Sequence, residues 1–213
     1  MALFGNKTSA NQQQTLTKRQ QYERKFATGR SNLLLVIFFT LINTVLCLTK
    51  SATYFLFSAY VPYTLTYEAM WWGGKMSAED YYNMFGVTKD EMQLLFYPQS
   101  VFNIMVALAA IIIIAYLLCW IFSKKRPGWL IFALALFAID TIVMVLMSLF
   151  YYVFDTGMIL DWVFHVWVLV YLFSGIIAAR KLRKLPKEEP ITEEIATEYS
   201  TAIECDIENE VNE

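Results

Sequence analysis

The sequence predicts an all-α integral membrane protein: a four-helix bundle with both termini cytoplasmic and a small helical outer cap between spans one and two. Three observations predict it. Of 213 residues, 57% are hydrophobic and only 17% charged, against about 45–50% and about 25% in soluble domains. The apolar residues fall in long blocks. Lysine and arginine collect at one side of those blocks. This pattern excludes a soluble domain, a disordered chain and a nucleic-acid binder.

Residues 1–32 form a basic cytoplasmic N-terminal segment carrying Lys7, Lys18, Arg19, Arg24, Lys25 and Arg30. Its stretch 15–29 can lie as a juxtamembrane helix on anionic headgroups, which attract about 1 kcal/mol per basic residue. A secretory signal would place its apolar run within the first 15–30 residues. Here that region is polar, so the first apolar run reads as an uncleaved anchor. Crossing about 30 Å of hydrocarbon takes about 20 apolar residues. Four segments qualify, at about 33–49, 101–122, 129–154 and 159–179, within a membrane domain of 33–181.

Orientation follows from the positive-inside rule. Besides the six N-terminal cations, Lys124, Lys125 and Arg126 lie between spans two and three. Arg180, Lys181, Arg183, Lys184 and Lys187 follow span four, and the opposite side has only Lys50, Lys75 and Lys89. Both ends are therefore expected inside a bacterial cytoplasmic membrane. Trp120 and Trp129 suit the inner interface. Trp71, Trp72, Tyr151, Tyr152 and Trp162 suit the outer one.

The connection 123–128 contains Pro127-Gly128 as a helix breaker, and 155–158 is also short, so spans two to four form an up-down bundle. Span one, on its long tether, can sit on either side. Gly175 and Ala179, four apart, allow a close helix approach.

The outer loop 50–100 is long enough to have structure of its own. Ser77 with Asp80 and Thr88 with Glu91 are capping-box patterns. They predict one short helix through Tyr82 and Met84, and another leading into span two with Pro98 as a kink. Trp71-Trp72-Gly73-Gly74 reads as an aromatic anchor and a turn. The apolar stretch 54–67 is too short to span and contains Pro62; it reads as interfacial, partly re-entrant, or an extension of span one. Residues 182–213 form an acidic tail, with ten acids beyond Pro186 against Lys187 alone. Such a tail is expected to be disordered, although Ile191, Ile195, Tyr199 and Ile203 could dock as a helix on a protein partner.

Few polar groups lie within the spans. Asp140, near the centre of span three, is costly in lipid and is the first candidate for an ion or proton pathway. Asn43 reaches a similar depth in span one, with Thr40 and Thr44 nearby. An Asn43–Asp140 contact would hold span one to the bundle, and the same two residues could line a polar path. His165 and Asp161, four apart in span four, form a candidate polar pair at the outer interface. His165 is expected nearer the surface than Asp140 and unpaired with it. Cys47, Cys119 and Cys205 form no C-x-x-C, and one histidine with one carboxylate falls short of a metal site. No phosphate-cradling or nucleophile motif occurs, so neither a catalytic set, a metal nor a cofactor is expected.

The stretches Thr28-Gly-Arg-Ser-Asn-Leu-Leu-Leu35 and Tyr54-Phe-Leu-Phe-Ser-Ala-Tyr-Val-Pro-Tyr63 resemble uncharacterised four-span integral membrane proteins of Gram-positive bacteria. The resemblance covers the N-terminal third and implies no activity. In layout the chain is also similar to claudin-like proteins, without their outer-loop cysteine pair or Gly-Leu-Trp element. The resulting expectation is a non-enzymatic accessory, scaffold or sensor subunit with the bilayer and a tail-binding protein as partners. The alternative is a small homo-oligomeric transporter or channel subunit that uses Asp140 and Asn43.

Overall fold

The computed structural model describes residues 17–51, 53–151 and 156–186, all helix, turn or irregular chain with no strand among them. The acidic-tail docking pattern, residues 152–155 and the first 16 residues lie outside the described residues. Two compact units are distinguished, Met1–Leu182 and Arg183–Glu213.

Among the described residues six α-helices follow one another: α1 Lys18–Leu48, α2 Tyr60–Trp72, α3 Ala78–Phe85, α4 Gln99–Ser123, α5 Gly128–Tyr151 and α6 Thr156–Leu182. A 3-10 turn, Gln93–Leu95, lies between α3 and α4. Four of them, α1, α4, α5 and α6, are long and apolar enough to cross a membrane. Their outward faces remain apolar, with Phe38, Ile111, Phe132, Ile142, Val163 and Val170 all exposed. That is the surface a lipid solvent requires, since lipid tails are as apolar as leucine.

From Lys18 onward the basic stretch is helical as expected, and it runs without a break into span one as the single helix α1. Thr17 and Gln20 close a reciprocal capping box at its start. Its 31 residues run about 46 Å, well beyond the hydrocarbon thickness. At the other end Lys50 takes a left-handed φ of 60°. Its N–H bonds the Cys47 carbonyl and the Ser51 N–H bonds that of Leu46, a Schellman reversal with lysine where glycine is usual.

That reversal sends the chain back between the helices. Ala59 comes to lie against Thr40, eight residues and about 12 Å inside the end of α1. The chain then turns again at Phe57, whose φ is 71°, and rises as α2. Residues 54–67 thus run back along α1 and form the first turns of α2. Helix α2 starts inside the bundle and packs on α1, α4 and α5.

Helix α1 packs chiefly on α6. A Cβ on Gly29 would come within 3.0 Å of the Tyr171 carbonyl and 3.1 Å of Gly175 Cα. Gly175 thus serves an α1–α6 crossing, with the two backbones in contact. The core joins Leu33 and Val36 of α1 to Tyr116 and Cys119 of α4, Phe137 of α5 and Leu172 of α6. At the basic end, Arg30 reaches from α1 to the last turn of α4. It donates to Ser123 Oγ at 2.9 Å and to the Trp120 carbonyl at 3.1 Å, a cation on a helix C-terminus.

At the opposite end a second cluster gathers Trp71, Tyr81 and Met92. The Tyr81 hydroxyl donates to the Trp71 carbonyl, and the Trp71 side chain is buried in this cluster. Ser77 and Asp80 cap α3 as expected, and Gly86 ends it in the left-handed conformation. Thr88 and Glu91 also exchange bonds, but only turns follow. Pro98 then stands as the N-cap of α4. The expected second helix and Pro98 kink are thus replaced by a 3-10 turn and a fresh start, since proline suits the edge of a helix and breaks its interior.

Two outcomes are expected. Gly29→Ala should lower detergent stability by about 1–3 kcal/mol in thermal unfolding, because both neighbours are backbone. Gly128→Ala, where a Cβ meets nothing within 4 Å, should leave it unchanged. The Ser77 hydroxyl and N–H hold the Asp80 carboxyl below its usual range. A carboxyl lowered by folding contributes stability above its unfolded pKa of about 4, lost as pH falls through the folded value. Amide exchange in α3 should therefore accelerate on acidification, and Asp80→Asn should show the acceleration already at pH 7.

Candidate functional site

A helix leaves its first N–H groups without partners inside the helix. In a bilayer no water can supply them. Helix α2 begins in the middle of the bundle, so its first turn carries this problem in full.

Each position has its own answer. The Ala59 N–H donates to Thr40 Oγ1 at 2.7 Å. The Tyr60 N–H donates to Asp140 Oδ2 at 2.8 Å, and the Val61 N–H to Asp140 Oδ1 at 2.8 Å. Pro62 has no N–H to satisfy. Asp140, 3% exposed, is thus the N-cap of a helix to which it does not belong. A carboxylate is the best such acceptor, because both oxygens accept and the helix dipole favours negative charge there.

Asn43 secures the descending limb. Its Nδ2 donates to the Phe55 carbonyl at 2.7 Å and to Ser58 Oγ at 2.9 Å, while its Oδ1 accepts from the Phe55 N–H at 2.9 Å. One side-chain amide thereby satisfies both main-chain groups of Phe55. Phe57 packs against Phe39, Phe164 and Trp167, which hold it in a left-handed conformation that costs roughly 1–2 kcal/mol.

His165 is buried, and its ring lies parallel to that of Phe137 at 4.9 Å. Its Nδ1 stands 2.8 Å from the Asp161 main-chain oxygen, and its Nε2 stands 3.3 Å from Asp140 Oδ2. A carbonyl only accepts, so Nδ1 carries hydrogen. Nε2 then faces the Asp140 carboxyl at 3.3 Å.

Three expectations are corrected here. Asn43 does not meet Asp140; the two hold the same re-entrant segment from α1 and α5, each at its own place. His165 meets Asp140, contrary to expectation. Placing span four's start at 159 when α6 starts at Thr156 made His165 appear about 4.5 Å too shallow. Finally, His165 bonds the Asp161 main chain, while the Asp161 carboxylate faces the Tyr54 phenol. Thr40, named in the sequence only as a neighbour of Asn43, and Ser58, not named there, complete the site. Thr40 resembled an ordinary back-bonding threonine, which it also is, donating to Val36 O at 2.7 Å. Tyr116, beside Phe137, keeps a buried hydroxyl without a hydrogen-bond partner. No group of three or more His, Cys, Asp or Glu able to hold a metal occurs among the described residues.

Comparison with protein-family models, with curated proteins and with solved structures gives no match.

Asp140→Asn keeps the shape but replaces one acceptor by a donor that faces an N–H. One buried N–H is then unsatisfied, at about 1–3 kcal/mol, and thermal unfolding in detergent should show that loss. Ser148→Ala, which removes a bond within its own helix, should change stability by under about 0.5 kcal/mol.

Proposed function

We propose that this chain is a non-enzymatic accessory or sensor subunit of a bacterial cytoplasmic membrane, with both termini inside. The observation that carries the reading is the use made of Asp140. Both oxygens of the one acid buried at mid-span bond the first turn of α2. The intramembrane polar groups therefore serve to hold a re-entrant segment, and contact with other molecules falls to the surface. The segment from α3 to α4 suits such contact, since Tyr82, Met84, Leu95 and Tyr97 are exposed and Leu94 is 97% exposed. Under the positive-inside orientation this segment is an outer cap, and the acidic tail is a second contact element on the cytoplasmic side.

A second reading has its own support. The Asp140 and His165 side chains meet at 3.3 Å inside the bundle, and a helix N-terminus at mid-membrane is a feature of transporter binding sites. In that reading the protein is an oligomeric transporter or channel subunit, with Asp140 and Asn43 near its polar path.

Purified protein in liposomes separates the two. The accessory reading expects no proton or ion flux above that of empty vesicles. Wild-type flux that disappears in a still-folded His165→Gln chain would overturn it in favour of transport. Orientation is tested by membrane-impermeant thiol labelling of Leu94→Cys and of a cysteine placed at Lys184 in intact cells. Labelling of the first and protection of the second is the expected result, and the reverse pattern would overturn the topology.

A further inference from the structure

Beside the Gly29–Gly175 contact, at the basic end of the bundle, α1 and α6 enclose a groove of about 330 Å³. Arg24 and Lys25 stand at its rim with Gln21, and Thr28, Tyr171 and Ser174 line it further in. No carboxylate is among these lining residues. We infer that this groove binds one anionic phospholipid, with its phosphate at Arg24 and Lys25 and an acyl chain along the α1–α6 seam.

The charge is available there. Three neighbouring cations are engaged elsewhere: Arg19 pairs with Glu23 at 3.0 Å, Arg30 holds the end of α4, and Lys181 lies over the Tyr22 ring. The side chains of Arg24 and Lys25 have none among the described residues. The hydroxyls of Tyr171 and Ser174 add donors deeper in, and phosphate oxygens are acceptors only.

The depth fits a lipid. The apolar stretch of α1 starts at Leu33, which places Thr28 about 8 Å and Arg24 about 14 Å outside it. The headgroup layer is roughly 5–8 Å thick on each side, so a long cationic side chain at its edge can fold back to a phosphate.

Below the hydroxyls the seam turns apolar and aromatic. Tyr171 touches Trp167 at 5.7 Å between ring centroids, and Trp167 continues to Phe164 at 6.1 Å. Free phosphate would use only the rim of such a groove. A phospholipid uses its whole length, and basic pockets between spans are where anionic headgroups bind. The inference requires only that the basic end meets a membrane surface, and it holds under either functional reading.

The test uses the full chain in detergent, titrated with phosphatidylglycerol, with phosphatidylcholine of the same acyl chains, and with inorganic phosphate. Bound lipid is counted by native mass spectrometry. Phosphatidylglycerol should bind at one saturable site and phosphatidylcholine should not. Arg24→Gln with Lys25→Gln should weaken that site by about 30-fold, as expected for two basic contacts. The charge-conserving pair Arg24→Lys with Lys25→Arg should retain it, as should Arg19→Gln. Ser174→Leu, which fills the groove without touching a cation, should abolish the site and provides a second route if the double glutamine chain does not fold. Equal binding of both lipids, or wild-type affinity in the double glutamine or Ser174→Leu chain, would overturn the inference. Inorganic phosphate binding as tightly as phosphatidylglycerol would assign the groove to a soluble anion instead and overturn the lipid.

Discussion

Everything in the membrane core depends on one constraint: a helix N-terminus has been placed where no water can reach it. Unpaired main-chain groups cost several kcal/mol each in hydrocarbon. Such a start is therefore tolerated only if protein supplies every acceptor. Here Thr40 comes from α1 and Asp140 from α5, while Pro62 removes one requirement altogether. The arrangement is specific in a way that apolar packing is not, because N–H groups must meet oxygens within about 3 Å.

The same constraint explains how the helices are held together. Without water there is little hydrophobic force between spans, and packing with hydrogen bonds takes over. The re-entrant segment acts as a polar wedge gripped by three spans. Asn43 and Thr40 fix it from α1 and Asp140 from α5, while His165 steadies Asp140 from α6. Away from the wedge, direct backbone contact takes its place, as at Gly29 and Gly175. Arg30 ties α1 to the end of α4. The result is a membrane domain with two distinct kinds of joint, polar in the middle and close-packed or charge-capped at the basic end.

Much of this was legible in the sequence. Three of the four apolar blocks marked their helices to within a few residues and the first marked only the C-terminal end of α1, while Ser77 with Asp80 marked α3. Asp140 and Asn43 stood out because polar groups are expensive at their depth. Their partners could not be read. Both bond main-chain atoms of a segment whose return into the bundle depends on a left-handed lysine and a left-handed phenylalanine, residues that signal no turn. Depth along a span is also known only as well as its ends, which is why His165 was assigned to the wrong layer. Pairs of side chains are the natural guess from a sequence. Here three of the four candidate residues turned out to bond backbone, and a main-chain atom leaves no mark in the residue letters.

The long separation between donor and acceptor also bears on how such a protein can be made. Tyr60 and Val61 lie 80 and 79 residues ahead of the carboxylate that receives their N–H groups. As the chain emerges from its N-terminus, the segment after α1 is synthesised long before α5 exists. During that interval it has no acceptor waiting at mid-membrane and must stay at the water-facing boundary. Its descent between the helices is therefore a late event in biogenesis, possible only after α5 has crossed. The order of assembly is written into the hydrogen bonds: spans first, wedge last.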